Sequence, residues 1–211
     1  MDALKYILDK YGLDIRQPLP IEIPNVGRVT LAALFGELGY KVGAEVGTER
    51  GKFAEIICNS NHGVKLYCID PYETYTGYRD YLDHTILDGA YLDAKKHLSG
   101  YDVEFVKEYS MDAVRHFADE SLDFVYIDAN HEWPYVSQDV YYWSKKVRPG
   151  GIVSGHDYYR SHIRDSKCHV KTVVAAYAYA FYINPWFILG ADAKIPGTIR
   201  DNSRSWFWVK A

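Results

Sequence analysis

Two carboxylates placed around a glycine turn are the residues here whose types and spacing could do chemistry. Glu45 lies in Gly43-Ala-Glu-Val-Gly-Thr-Glu-Arg-Gly51, and Asp70 lies in Tyr67-Cys-Ile-Asp-Pro-Tyr72. Residues 41–46 read as a short buried strand, 47–51 as a sharp turn holding Thr48, and 52–58 as the opening of a helix. Glycine at 47 and 51 lets a ligand approach the main chain where a Cβ would block it. Residues 64–69 form the next apolar run and deliver Asp70 to its carboxyl end, where ligands bind in open α/β sheets. An acid there can accept two hydrogen bonds from a ribose diol. The glycines are four apart, unlike the dinucleotide fingerprint G-x-G-x-x-G, and Glu45 would repel a pyrophosphate. A carboxylate at that point suits a cationic group instead.

Three further clusters carry polar chemistry. Tyr126-Ile-Asp128-Ala-Asn-His131 ends an apolar run, so Asp128 should face the same crevice as Glu45 and Asp70, with His131 one turn later. His156 and Asp157 follow the run at 152–154. Ser110, Met111 and Asp112 look like a helix start after the strand at 103–107, with a plain cap as the bland alternative. A histidine near neutral pKa is suited to removing a proton.

The elements that must position these residues alternate. Helical segments are expected at 85–98, 112–117, 135–147 and 170–182, and strands at 103–107, 122–127, 152–154, 186–189 and 206–209, with Pro149-Gly-Gly151 as a break. With the strands at 41–46 and 64–69, this predicts an α/β doubly wound, mostly parallel seven-stranded sheet with helical crossovers. Helices at 4–11 and 30–38 are expected to cover the cofactor or to make a homodimer contact. The 211 residues, 48% of them apolar, have no linker dividing them, which predicts one domain over 1–211. Within it, 1–40 would be a helical cover, 41–158 the cofactor-binding core, and 159–211 a C-terminal helix and strands.

Composition narrows the partners. A formal net charge of -4 without a Lys/Arg cluster argues against nucleic acid and favours a small molecule. No membrane span and no signal peptide are expected, and the location expected is cytoplasmic. Cys58, Cys68 and Cys168 form no C-x-x-C pair and read as reduced and inert. Among 20 tyrosines, Tyr72, Tyr75, Tyr78 and Tyr81 recur every third residue around Arg79 and Asp80, as a pocket lid or as a surface stripe. The histidines at 62, 84, 97, 116, 162 and 169 stand without comparable partners and read as solvated.

The acid-and-glycine turn resembles motif I of class I S-adenosylmethionine-dependent methyltransferases, E/D-x-G-x-x-x-G, with Asp70 as the acid of the second strand. The Ile127-Asp128-x-x-His131 segment and the stretch 148–158 resemble methyltransferase domain family 24, a small-molecule O-methyltransferase-like branch. The resemblance spans 41–158. It implies a Rossmann-like fold whose last strand inserts antiparallel, and a donor, S-adenosyl-L-methionine, held by Glu45, Gly47, Thr48, Gly51, Asp70, Pro71, Tyr72 and Asp128. It also implies Ser110 and Met111 at the adenine, and methyl transfer to an oxygen of a sugar, phenol or secondary metabolite. Related catechol-type enzymes have a lysine base where this chain has His131. Metal-dependent relatives use the positions of Asp128, His156 and Asp157 as ligands. Imidazole suits zinc, iron or manganese better than magnesium. Asp128 and Asp157 are therefore read either as holding a divalent ion with His156 or His131, or as companions of histidines doing proton chemistry without metal. The catalytic set is His131, His156 and Asp128. Two alternatives stand beside this reading: a nicotinamide-dependent oxidoreductase on a similar sheet, and a non-catalytic cofactor-binding protein of the same fold.

Overall fold

The computed structural model describes residues 2–74, 84–159 and 168–211. Its centre is a run of five parallel strands: β2 (Val42–Val46), β3 (Lys65–Ile69), β4 (Val103–Val106), β5 (Leu122–Ile127) and β6 (Val147–Gly155). With β1 (Ile21–Ile23), β7 (Phe187–Leu189) and β8 (Trp206–Val209), the order is β1-β7-β8-β6-β5-β2-β3-β4. The chain winds outward from β2 to β4 and then returns to lay β5 on the other side of β2. That reversal opens a crevice beyond the carboxyl ends of β2 and β5, the place where open α/β sheets take their ligands.

Both faces of the sheet are covered, so its strands are apolar runs and not alternating ones. Helices α1 (Ala3–Tyr11), α2 (Arg28–Glu37) and α3 (Lys52–Ser60) pack on one face, where Phe35, Ile57, Phe124 and Tyr126 meet. The other face holds α5 (Ser110–Ala113), α6 (Trp133–Lys146) and α7 (Val170–Ala180) against Ala44, Val46, Val125 and Trp143. Helix α4 (His84–His97) packs beside α3, with Ala94 against Gly51. Because side chains alternate along a strand, Glu45 shares the α2/α3 face with Tyr126, its partner across the β2–β5 ladder. A Cβ at Gly43 would sit inside the Phe124 ring, which stacks on Phe35 at 4.1 Å; this glycine lets α2 lie close over β2 and β5.

The antiparallel last strand is present: β8 runs against both β6 and β7. The sheet has eight strands where the sequence predicts seven. The extra one, β1, is three residues between Pro20 and Pro24, too short to show a period, and it lies at the edge, where flanking prolines are tolerated. Strand β6 also runs through the expected break at Pro149-Gly-Gly151. The register passes from Leu122↔Val147 to Phe124↔Ile152, so residues 148–151 bulge out while pairing resumes behind them. The helix expected at 112–117 is the single turn of α5 followed by a 3₁₀ turn, Val114–His116. Helix α1 lies by the start of β6, at the opposite end of the sheet from the crevice; of the two N-terminal helices, only α2 reaches the crevice.

Candidate active site

The turn after β2 is built from backbone. Gly47 has φ +95° and donates to the Ile69 carbonyl at 2.8 Å, with Thr48 N–H on the same oxygen at 3.3 Å. A Cβ at Gly47 would lie 2.1 Å from the carbonyl oxygen of Asp128, so the end of β5 closes directly over this turn. Gly51, at φ +73°, turns the chain into α3. Asp70 holds the loop from behind: its carboxylate accepts Glu49 N–H and Tyr72 N–H, each at 2.9 Å. The Tyr72 hydroxyl donates to the Glu49 carbonyl at 2.9 Å.

Glu45 is only 2% exposed, and its Oε2 has no hydrogen-bond partner among the described residues; the same is true of Thr48 Oγ1. Burial raises the Glu45 pKa well above the ordinary carboxylate range, and the charges of Asp128 and Asp70 add to this. The nearby Thr48 hydroxyl and Arg28 work the other way. An orphaned acid this deep is costly unless something arrives to pair with it. It opens on a cleft of about 320 Å³ lined by Arg28, Glu45, Gly47, Thr48, Phe53, Asp128 and His131, among others.

At the rim of that cleft stand two acids and two histidines. His131 Nε2 is 3.0 Å from Asp157 Oδ2 and 3.4 Å from Asp128 Oδ1. His156 Nδ1 is 3.5 Å from Asp157 Oδ2 and 3.6 Å from Asp128 Oδ2. Burial opposes a charge on His131, yet its hydrogen bonds and attraction to Asp128 and Asp157 outweigh burial and push its pKa up to about 10. The balance for His156 is of the same kind and also upward, with Asp157 and Asp128 as the causes that prevail over burial. Asp157 is held well below the usual carboxylate range, because the two histidines overcome the opposing effect of its burial. Asp157 itself has φ +57°, an unfavourable backbone for a residue with a Cβ, which bends the chain after β6 so that its carboxylate turns back on His131. Ligand atoms of Asp128, His131 and Asp157 lie within 4.8 Å of one another, a donor set for a divalent cation.

A family model described as a methyltransferase domain matches residues 44–158. The chain belongs to this family. No curated protein matches it in sequence. Among solved structures, the O-methyltransferase from Bacillus cereus in complex with SAH is 15% identical, with a TM-score of 0.60 over 100% of this chain and 91% of that one. The O-methyltransferase TomG from Streptomyces achromogenes, involved in tomaymycin synthesis and solved with SAM, is 17% identical, with a TM-score of 0.59 over 100% and 91%. Spermidine synthase from Thermotoga maritima is 16% identical, with a TM-score of 0.57 over 85% of this chain and 57% of that one. At such identities these likenesses speak for the fold, that of the class I S-adenosylmethionine-dependent methyltransferases. The family match favours a methyltransferase over a nicotinamide-dependent oxidoreductase.

In this methyltransferase domain the crevice unites Glu45, Gly47, Thr48, Asp128 and His131, with His156 and Asp157 alongside. Asp70 and Tyr72 stand behind the loop, buried, and Pro71 lines a shallow hollow with Lys107 and Tyr109 instead. The Ser110 hydroxyl is engaged within the protein, donating to Asp139 and accepting from Trp143 Nε1 at 2.8 Å, and Met111 is a partly buried side chain packed against the core cluster that includes Trp143. Of the tyrosine run only Tyr72 lies within the described residues; Tyr75, Tyr78 and Tyr81, with Arg79 and Asp80, lie outside them. Cys58 and Cys68 are buried thiols raised by that burial, Cys58 to about 12, as inert cysteines should be. Three histidines read as solvated are engaged, among them His116, whose Nε2 lies 2.8 Å from Glu108 Oε2. His97 Nδ1 lies 2.9 Å from the Arg50 carbonyl, while His169 accepts Trp133 N–H at 3.0 Å and donates its backbone N–H to His131 O at 2.8 Å. Sequence reasoning missed Arg28, Phe53 and Asp139. Arg28 stands after a glycine ahead of an apolar run, and nothing in that local pattern marks it as a site residue.

Proposed function

We propose that this chain transfers a methyl group from S-adenosylmethionine to an oxygen of a small molecule such as a sugar, a phenol or a secondary metabolite. One observation carries the reading: Glu45, buried and lacking a partner for Oε2, lies in a glycine-floored cleft whose rim is a cluster of two acids and two histidines. That two proteins of like fold are O-methyltransferases solved with SAM or SAH supports it. When bound, S-adenosylmethionine supplies an electrophilic methyl on a sulfonium. The chain's own part is to bind, align and deprotonate. Glu45 would take the cationic amino end of the donor, Gly47 lets the main chain come close, and Asp70 would accept the ribose hydroxyls. The acceptor hydroxyl would sit against the Asp128–His156 side of the cluster and give its proton to His156 in its neutral form, which the upward pull of Asp157 and Asp128 makes the scarcer one as pH falls. His131, pushed up to about 10 between two carboxylates, holds its own proton at neutral pH and is the poorer base in this state.

A divalent ion is a second reading, favoured by the donor set of Asp128, His131 and Asp157. Binding would displace the His131 proton, and the mixed nitrogen and oxygen donors suit manganese, iron or zinc. The buried thiols of Cys58 and Cys68 fit work in the reducing cytoplasm. The test is calorimetric titration with S-adenosylhomocysteine, with and without chelator, followed by a panel of hydroxylated acceptors with methyl-labelled donor. Micromolar binding, about -8 kcal/mol, and label transfer to an oxygen are expected. No binding would refute the donor site, and binding without turnover on any acceptor would leave a cofactor-binding protein.

A further inference from the structure

Glu45 explains one end of an amino acid; the opposite charge stands beside it. Arg28 is the first residue of α2, and its position is fixed from far along the chain. Its backbone N–H donates to Asp201 Oδ2 at 2.7 Å, and a Cβ on the preceding Gly27 would lie 2.8 Å from that same carboxylate oxygen. The segment before β8 therefore presses the start of α2 against the crevice. The Arg28 side chain then lies over the Phe53 ring, with the guanidinium carbon 5.3 Å from the ring centre, at the wall of the cleft that holds Glu45 and Thr48. Arg28 is half-buried, and its side chain lines the same cleft as Glu45, Asp128 and His131. No ion pair joins its guanidinium to an acid among the described residues.

A buried carboxylate, a buried hydroxyl without a partner and a half-buried guanidinium on one cleft wall match a zwitterion. We propose that Arg28 and Glu45 together form the subsite for the α-amino-acid end of the donor, Glu45 taking the ammonium and Arg28 the carboxylate. This deepens the function proposed above and rests on it. The planar fork of Arg28 suits a carboxylate, and the aromatic face beneath holds it in place at little entropic cost. Lys52, the other cation lining the cleft, is exposed at the first turn of α3, whereas Arg28 is half-buried against Phe53, which favours Arg28 over Lys52 for the carboxylate.

The experiment compares S-adenosylhomocysteine with its decarboxylated analogue, which keeps the amine and the nucleoside and lacks only the carboxylate. Both are titrated calorimetrically into the wild type, Arg28→Gln, Arg28→Lys and Lys52→Gln. The wild type and Lys52→Gln are expected to prefer S-adenosylhomocysteine at least tenfold. Arg28→Gln should bind the two compounds equally, through loss of affinity for the carboxylate-bearing one alone, and Arg28→Lys should keep part of the preference. Equal affinities in the wild type would overturn the inference whatever the variants do, and so would an undiminished preference in Arg28→Gln. If neither compound binds the wild type, the methyltransferase reading itself falls and this inference with it; tight binding of both without discrimination leaves that reading standing and removes only Arg28.

Discussion

Gly47→Ala is the substitution the geometry constrains most tightly. At φ +95° a Cβ is strained by about 1–3 kcal/mol. The methyl would also meet Asp128 O at 2.1 Å, Asp128 C at 2.5 Å and Ala129 Cα at 2.8 Å, all backbone atoms that cannot rotate aside. Overpacking of that kind adds about 1–3 kcal/mol, so the loss should be about 4 kcal/mol. For a chain of this size that corresponds to a melting temperature lower by about 8–16 °C. Gly63→Ala is the matched control: its φ is +77°, and nothing lies within 4 Å of the added methyl. It should bear the backbone strain alone, about 1 kcal/mol or about 3 °C. The assay is thermal melting of both variants, with S-adenosylhomocysteine binding as the second readout. Because the displaced atoms belong to Asp128 and Ala129, Gly47→Ala should bind at least tenfold more weakly while Gly63→Ala binds as the wild type does. Equal melting losses in the two variants would show that the end of β5 does not close on this turn.

Two predictions concern pH. Asp139 is buried under α5, and burial, with the Ser110 hydrogen bond opposing, pushes its pKa up to about 7. Its folded pKa lies above the unfolded one, so its contribution is fully present below about pH 4 and is lost as pH rises through about 7. Asp139→Asn should therefore gain on the wild type between pH 5 and 8.5 by about 2 kcal/mol in urea unfolding; a difference that does not vary with pH would refute the argument. His131 is likewise raised, from 6.5 to about 10, so the charged imidazole stabilises the fold fully below about 6.5, and that support disappears as pH passes about 10. His131→Gln leaves Asp128 and Asp157 facing each other and should cost about 2–4 kcal/mol at pH 6.5, the deficit narrowing by pH 10.5. A constant deficit across that range would mean that His131 is neutral in the fold.

Much of the sheet was legible because buried parallel strands are continuous apolar runs ending in an acid. Leu122–Ile127 into Asp128 and Lys65–Ile69 into Asp70 announce both the strand and the site. Strand β1 was not, because Ile21-Glu-Ile23 between prolines has no period to detect and pairs only with β7, more than 160 residues away. The acids of the crevice could be named from their place after strands, whereas Arg28 could not: what brings it to the site is the Asp201 hydrogen bond, a contact across the whole chain. Ser110 shows the converse. Ser110 does start a helix, two residues ahead of the one expected at 112–117, but the partner of its hydroxyl is Asp139 on α6, and no local spacing relates the two.

The charges of the crevice form an almost closed account, and the remainder says what the cleft is prepared to hold. Asp70 is compensated by two backbone N–H groups, and Asp128 and Asp157 share two histidines that their own attraction keeps protonation-prone. Of the acids lining the crevice, Glu45 alone has a buried oxygen without a hydrogen-bond partner among the described residues, and Arg28 brings to it a guanidinium that no acid takes up among them. If the two simply neutralised each other, they would form the ion pair that the geometry lacks; they stand on one wall, apart, as a zwitterion requires. Under the proposed function, ammonium and carboxylate would cancel Glu45 and Arg28, and the sulfonium would be the one donor charge left over in a cleft that Asp128 also lines. Methyl transfer would remove that charge, so the product would lose an attraction the donor has while keeping its zwitterionic anchor. Under the proposed function, the cleft therefore discriminates donor from product through Asp128 and recognises what they share through Glu45 and Arg28.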